Sequence, residues 1–102
     1  MCRHSYELGA YGGRIYAIAV RVKPDYDDVQ EFGVTVYYST GKGENIDVAR
    51  IDTDHGGPHL DRLFLEDPDK KFLDPDLEWH EAEKQLSDNW RDYARKYERN
   101  RG

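Results

Sequence analysis

Cysteine is almost absent from this chain, because Cys2 is the only one among 102 residues. A single thiol excludes an intramolecular disulfide and a zinc site built on two or more cysteines of one chain. Long apolar runs are absent too: none approaches the roughly 20 residues that a membrane span requires. The N-terminus also lacks the basic-then-apolar layout of a signal peptide. We therefore expect a cytoplasmic protein with no membrane partner.

The chain is rich in both aromatic and charged residues. Aromatics make up 13% of the residues, which argues against disorder even though 35% are charged. The length predicts one domain, residues 1–102, with a small aromatic-rich core. A net charge of -6 repels polyanions over long range and suits solubility or a basic protein partner.

Three stretches carry strand patterns. Ile15–Val22 is apolar on both faces, as in a central strand, and residues 32–39 alternate between apolar and small or polar side chains. A glycine-rich break at residues 41–45 precedes a third stretch, Ile46–Asp52, and this spacing predicts an antiparallel hairpin with a loop of about five residues. The apolar phase of the third stretch slips near Val48, which indicates a bulge or a two-sided strand. Residues 5–8 are compatible with a short edge strand.

The C-terminal part carries the clearest helix pattern. Asp74 is suited to an N-cap and Pro75 to the first helical position, so the pattern predicts a helix from about residue 75 to 98. Its apolar stripe consists of Trp79, Ala82, Leu86, Trp90, Tyr93, Ala94 and Tyr97. Residues 60–65 fit either a strand or a helical turn, and residues 66–74 resemble a loop. We expect an α+β domain in which an antiparallel sheet of three to five strands packs on this one long C-terminal helix.

Histidines, carboxylates and arginines crowd together between Arg50 and Leu63. The members of this group are Arg50, Asp52, Asp54, His55, His59, Asp61 and Arg62. Imidazole and carboxylate donors are compatible with a divalent metal, although the glycines and proline between His55 and His59 exclude a helical histidine pair. Alternatively, His55 or His59 with Asp52 performs acid–base chemistry while Arg62 or Arg50 stabilises a phosphate. Structural ion pairs that hold the bend are the third interpretation, and the pattern fixes no cofactor.

Other residues suit contact with nucleic acid. Arg95 and Arg99, at the end of the predicted helix, are candidates for phosphate contacts, although a helix dipole also favours cations there. Tyrosine rings are also suited to base stacking, provided that several of them share one exposed face of the sheet. These tyrosines are Tyr6, Tyr11, Tyr16, Tyr37 and Tyr38.

From Ile51-Asp52 to His59 the chain resembles the small prokaryotic TumE-type proteins, the toxin halves of toxin–antitoxin pairs. In that family a β-hairpin leads into an apolar-Asp motif, a short glycine-containing loop with histidines, and a C-terminal helix. The matching positions are Asp52 and His59, with His55 less securely aligned. The chain departs from the pattern at Thr53, where asparagine is common, and at residues 60–62, where a further histidine is expected.

The resemblance implies a toxin–antitoxin protein that acts on RNA or a nucleotide through the loop from Asp52 to Arg62, with a cognate antitoxin as its protein partner. A different class fits the net charge: a non-enzymatic acidic binder that engages a basic target. An inhibitor that imitates nucleic acid, of anti-CRISPR or anti-restriction type, belongs to this class. A homodimer formed through an exposed sheet edge is the third hypothesis.

Overall fold

A computed structural model describes residues 2–53, 57–65, 67 and 69–100. It shows an antiparallel sheet with a single long helix packed on one face, which confirms the predicted α+β class. The strands are β1 (Cys2–Tyr11), β2 (Arg14–Asp25), β3 (Asp28–Ser39), β4 (Asn45–Asp52), β5 (His59–Asp61) and β6 (Lys70–Phe72), and the helix is α1 (Trp79–Asn100). The strands lie side by side in chain order, each antiparallel to the next.

The predicted count of three to five strands was therefore too low. Of residues 60–65, for which a strand and a helical turn were both open, residues 60–61 belong to a strand, β5, while residues 62–65 form a turn closed by the Leu65 N–H on the Arg62 carbonyl oxygen. Residues 70–72, which resembled a loop, add a sixth strand, β6. Both are only three residues long, too short to show an alternating pattern beside Pro58 and Pro68. These residues adopt the extended conformation because they pair with neighbouring strands, and not because their own sequences favour it.

The β3–β4 hairpin agrees with its sequence pattern. Ser39 pairs with Asn45 across a loop of residues 40–44, and Val36 pairs with Ala49 while Tyr37 pairs with Asp47. Val48 is the extra residue of this β-bulge, so Val48 and Ala49 are both buried. The slip in the apolar phase is thus a bulge.

The helix begins at Trp79, four residues later than Pro75 and two residues beyond the turn that Asp74 forms. The Asp74 side chain accepts a hydrogen bond from the Asp76 backbone at 2.9 Å, which closes a turn before the helix. At the start of the helix, the Glu81 carboxylate accepts the backbone N–H of Glu78 at 3.0 Å, which is one half of a capping box.

The core lies between the helix and one face of the sheet. All of the predicted stripe except the half-buried Trp79 is buried, against strand residues whose side chains share that face. The buried strand residues include Tyr16, Ile18, Val20, Val34, Val36, Ile51 and Leu60. We call the opposite side, turned away from α1, the distal face. No helix in the described ranges is long and apolar enough to cross a membrane.

Candidate functional site on the distal face

Strands β4 and β5 bring four of the predicted site residues together. Asp52 pairs with His59 and Arg50 pairs with Asp61 in the β4–β5 register. The residues between them along each strand, Ile51 on β4 and Leu60 on β5, are buried in the core. Alternation therefore sends Arg50, Asp52, His59 and Asp61 to the distal face. We call these four residues the Asp–His cluster.

Arg50 joins the two carboxylates of the cluster. Its Nη2 donates to Asp61 Oδ2 at 2.8 Å, and its Nε lies 3.1 Å from Asp61 Oδ2 and 3.1 Å from Asp52 Oδ2. Burial, the largest influence, lowers the pKa of Arg50, but the hydrogen bond to Asp61 and the charges of Asp61, Asp52 and Asp47 together raise it. Arg50 therefore stays cationic and neutralises one of the two negative charges.

His59 lies between the same two carboxylates and is almost fully enclosed, at 1% exposure. Its Nε2 is 3.1 Å from Asp52 Oδ1 and 3.5 Å from Asp61 Oδ1, while its Nδ1 is 3.1 Å from the Gly57 carbonyl oxygen. A carbonyl only accepts, so Nδ1 carries a proton and Nε2 is the nitrogen available to the carboxylates or to another ligand. The Phe72 ring, 5.9 Å away between centroids, packs beside the imidazole.

The Oδ1 atom of Asp61 is buried and accepts no hydrogen bond from the described residues. His59 Nε2 lies 3.5 Å from this oxygen and the Lys70 Nζ atom 3.9 Å from it, both beyond good hydrogen-bonding distance. Asp61 as a whole is 4% exposed, so bulk water does not replace the missing partner. A buried carboxylate oxygen without a hydrogen-bond donor lowers the stability of the folded state, so its presence here requires an explanation.

The other predicted site residues lie elsewhere. The Arg62 guanidinium pairs with the exposed Asp69, which lowers the pKa of Asp69 through their hydrogen bond, and Arg62 takes no part in the cluster. Arg95 pairs with Asp92 on the helix, and Arg99 is exposed in the last helical turn. The predictions for Asp54 and His55 fall outside the described residues.

Two arginines that the sequence did not single out lie on the distal face in line with Asp52 and His59. The strand registers form a row across the sheet, which we call the Arg21 row: Arg3, Arg21, Gly33, Asp52, His59 and Phe72. Arg21 covers Gly33 so closely that a Cβ there would lie 2.8 Å from Nη2. The isolated glycine inside a strand was the signal for this close approach.

A shallow groove of about 560 Å³ runs beside this row over β1 to β4. Its lining includes Arg3, Ser5, Arg21, Thr35, Tyr37 and Asn45. The five tyrosines do not share one exposed sheet face, because Tyr16 and Tyr38 are buried beneath the helix and Tyr6 bonds to Glu83, which lies on the helix. Of the five tyrosines only Tyr37 lines this groove.

A family model for a domain of unknown function, DUF7718, matches residues 5–102. The chain belongs to this family. No curated protein and no solved structure matches it. The family match covers β1 to β6 and α1, and gives no support to the resemblance to TumE-type proteins, which rests on the motif around Asp52 and His59 alone.

Proposed function

We propose that this DUF7718 protein binds RNA or a nucleotide on its distal face and acts on it beside the Asp–His cluster. The observation that carries the proposal is the Arg21 row, in which Arg3 and Arg21 occupy the same line of paired strand positions as Asp52 and His59. Phosphate contacts from arginine position a ligand, and a histidine–carboxylate pair is suited to acid–base chemistry.

Arg3 and Arg21 are suited to phosphate because neither forms an ion pair with another residue in the part of the chain described. Both side chains are exposed on the groove, and the guanidinium of Arg21 lies flat over Gly33. A planar, pre-positioned guanidinium loses less freedom when it binds phosphate. Tyr37 and Thr35, farther along the groove, offer a ring for base stacking and a hydroxyl.

The net charge of -6 limits the ligand class. Long nucleic acids meet repulsion from the whole molecule, whereas a nucleotide or a short single strand meets mainly the local field of the groove, where Arg3 and Arg21 outweigh the carboxylate of Asp47. The groove spans four strands, which is wide enough for a few nucleotides rather than a duplex. The proposal therefore concerns short single-stranded RNA or a free nucleotide.

The test is titration of a labelled RNA pentanucleotide and of a nucleoside triphosphate with the purified protein, read by fluorescence anisotropy. We expect Arg21→Ala to weaken binding about tenfold, the loss of one charge-assisted phosphate contact. The salt dependence of RNA binding should decrease by about 0.7 in log–log slope per phosphate contact removed. Lys84→Ala, which removes an exposed lysine of the helix, is the matched control for net charge.

Two further variants separate this surface from the helix end. If Arg95→Ala with Arg99→Ala removes binding while Arg21→Ala has no effect, the distal face is not the ligand surface. Cleavage is followed on the same RNA by gel electrophoresis. His59→Ala should then abolish cleavage while leaving binding through Arg21 in place, since His59 is buried and the arginines are not. Failure of wild type to bind either probe contradicts the proposal altogether.

The toxin–antitoxin context of the Asp52–His59 motif stays a prediction. It is tested by expressing the chain in a bacterial host and comparing growth with and without His59→Ala. Growth arrest relieved by the variant supports a toxin that acts through this cluster. Unimpaired growth at high expression contradicts it, and the binding experiment above then stands on its own.

A second candidate function, an acidic binder for a basic protein, is favoured by the tip of the β2–β3 hairpin. Asp25, Asp27 and Asp28 are all exposed there, and the Asp25 side chain accepts the backbone N–H groups of the other two at 2.9 Å. Asp25 therefore holds the turn, while the exposed carboxylates of Asp27 and Asp28 are available to a partner, Asp28 in competition with an exposed hydrogen bond from Gln30 Nε2 at 3.2 Å. A nucleic-acid-binding protein, the usual target of a nucleic-acid mimic, is one such basic partner.

This candidate is tested with a polylysine peptide as the basic probe. Asp27→Asn with Asp28→Asn should weaken salt-sensitive binding, whereas Asp67→Asn, a single exposed carboxylate elsewhere, should leave most of it. Equal loss in both variants would indicate a general charge effect rather than a docking surface.

A further inference from the structure

We propose that Asp52, His59 and Asp61 bind one divalent transition-metal ion, Zn²⁺ or Mn²⁺, on the distal face. The donors are Asp52 Oδ1, Asp61 Oδ1 and His59 Nε2, and one donor atom from each residue lies within 4.8 Å of the others. The proposal does not depend on RNA or nucleotide binding, because it concerns the ion alone.

The two separations between the imidazole and the carboxylate oxygens match those of a coordination sphere, and an oxygen of each carboxylate lies within 4.8 Å of the other. His59 Nε2 lies 3.1 Å from Asp52 Oδ1 and 3.5 Å from Asp61 Oδ1. Ligand atoms about 2.1 Å from a tetrahedral ion are roughly 3.4 Å apart, and around an octahedral ion they are roughly 3.0 Å apart. An ion therefore fits between these atoms with only small side-chain adjustments.

The histidine is oriented as a metal ligand requires. Its Nδ1 donates to the Gly57 carbonyl oxygen at 3.1 Å, which leaves the lone pair of Nε2 directed at the two carboxylates. A backbone carbonyl behind the ring is the usual partner of a metal-bound imidazole, because it fixes the tautomer and the ring plane. Without a metal, the edge of the ring that faces the carboxylates offers at most one N–H, which serves only one of the two carboxylates well.

The orphaned oxygen of Asp61 is the observation that points to a ligand. Arg50 occupies the Oδ2 atoms of both carboxylates and leaves the Oδ1 atoms facing the imidazole. Asp61 Oδ1 is buried with no hydrogen bond from the described residues. An ion between the Oδ1 atoms and Nε2 would satisfy this oxygen, which neither Arg50 nor Lys70 reaches well enough to do.

The donor set selects the class of ion. One imidazole nitrogen and two carboxylate oxygens suit Zn²⁺ and Mn²⁺, whereas Mg²⁺ and Ca²⁺ prefer oxygen ligands throughout. Between the two, the general order of affinities favours Zn²⁺. With Arg50 alongside, two carboxylates and a neutral imidazole leave one net negative charge, which a divalent ion converts to one positive charge.

The test is calorimetric titration of the metal-free protein with Zn²⁺, Mn²⁺ and Mg²⁺ separately. We expect one high-affinity Zn²⁺ per chain, weaker Mn²⁺ and no comparable Mg²⁺ binding. Asp61→Asn, which keeps the shape of the side chain, should weaken Zn²⁺ binding at least about tenfold. His80→Ala is the matched control, because His80 forms an exposed pair with Glu78 at 3.1 Å and offers the same donor types.

A measurement on the unmodified protein covers the case in which Asp61→Asn fails to fold. The ¹⁵N resonance of His59 Nε2 should shift on addition of Zn²⁺ while its Nδ1 keeps the shift of a protonated nitrogen. Zn²⁺ binding that survives Asp61→Asn in a folded variant, a response confined to other histidines, or no Zn²⁺ binding by wild type would each overturn the proposal. Metal binding without RNA binding would leave the site intact and remove only the proposed function.

Discussion

The guanidinium of Arg21 rests on Gly33, its partner on the neighbouring strand. A Cβ at residue 33 would come within 2.8 Å of Nη2, 2.9 Å of Cζ and 3.0 Å of Nε. These atoms are the far end of a flexible side chain, so they move aside at little cost. Gly33 therefore determines where the guanidinium lies rather than whether the sheet forms.

Gly33→Ala should separate ligand binding from stability. The free energy of unfolding should stay within about 1 kcal/mol of wild type, since alanine is at least as good as glycine in a strand. Nucleotide binding should weaken, because the added Cβ displaces the guanidinium from its position over Gly33. Urea unfolding and anisotropy on the same preparation measure both effects. Unchanged binding in a variant as stable as wild type would show that the position of the Arg21 guanidinium over Gly33 does not affect ligand binding.

Arg50→Met should destabilise the protein far more than the same change at Arg62. Arg50 bridges two carboxylates whose side chains are each only 5% exposed, and its removal leaves them without this cation. The expected cost is about 3 kcal/mol in the free energy of unfolding. Arg62 pairs with Asp69 at the surface, where an ion pair contributes less than about 1 kcal/mol.

Denaturant midpoints of the two variants provide the comparison. Arg50→Met leaves the Oδ2 atoms of Asp52 and Asp61 without their cation. Added Zn²⁺ should therefore raise the free energy of unfolding of this variant by more than it raises that of wild type. Equal losses in the two variants would mean that the buried cluster contributes no more than a surface pair.

The strands whose patterns were long enough could be predicted from the sequence, and the short ones could not. Ile15–Val22 and the alternation after Phe32 identified β2 and β3, and the slip at Val48 identified the bulge. Three-residue strands such as β5 carry too few residues for a periodicity. The helix start was misplaced because Asp74 and Pro75 suit a turn as well as a cap.

The site could be predicted only where its residues lie close in sequence. Asp52, His59 and Asp61 fall within one loop and its flanking strands, so their proximity in the sequence was enough to group them. Arg21 joins them through the register of β2 on β3, and single exposed arginines carry no local signal of that kind. The separation of Arg62 from the cluster depends on its pairing with Asp69, which no spacing rule anticipates.

Leu86→Ala should show that the helix and sheet unfold together. Leu86 is fully buried at the centre of the helix stripe, so its truncation leaves a cavity against the sheet. The expected loss is about 3 kcal/mol in the free energy of unfolding. Lys84→Ala, two residues away and exposed, should cost less than about 0.5 kcal/mol through its i,i+4 pair with Asp88. A loss seen by helix circular dichroism but not by tyrosine fluorescence would contradict a single cooperative unit.

Tyr16 should make stability fall at high pH. Burial, with the hydrogen bond from Tyr16 to Glu98 and the charge of Glu98, raises the pKa of Tyr16 from 10.0 to about 12. The folded state therefore keeps the phenol proton more tightly than the unfolded chain, and the associated stability is complete below pH 10 and is lost as pH rises toward 12. Urea midpoints measured across this window should decline less steeply in Tyr16→Phe than in wild type. Tyr37→Phe, on the distal face, is the control, and an equal flattening in both variants would show that the decline does not originate at Tyr16.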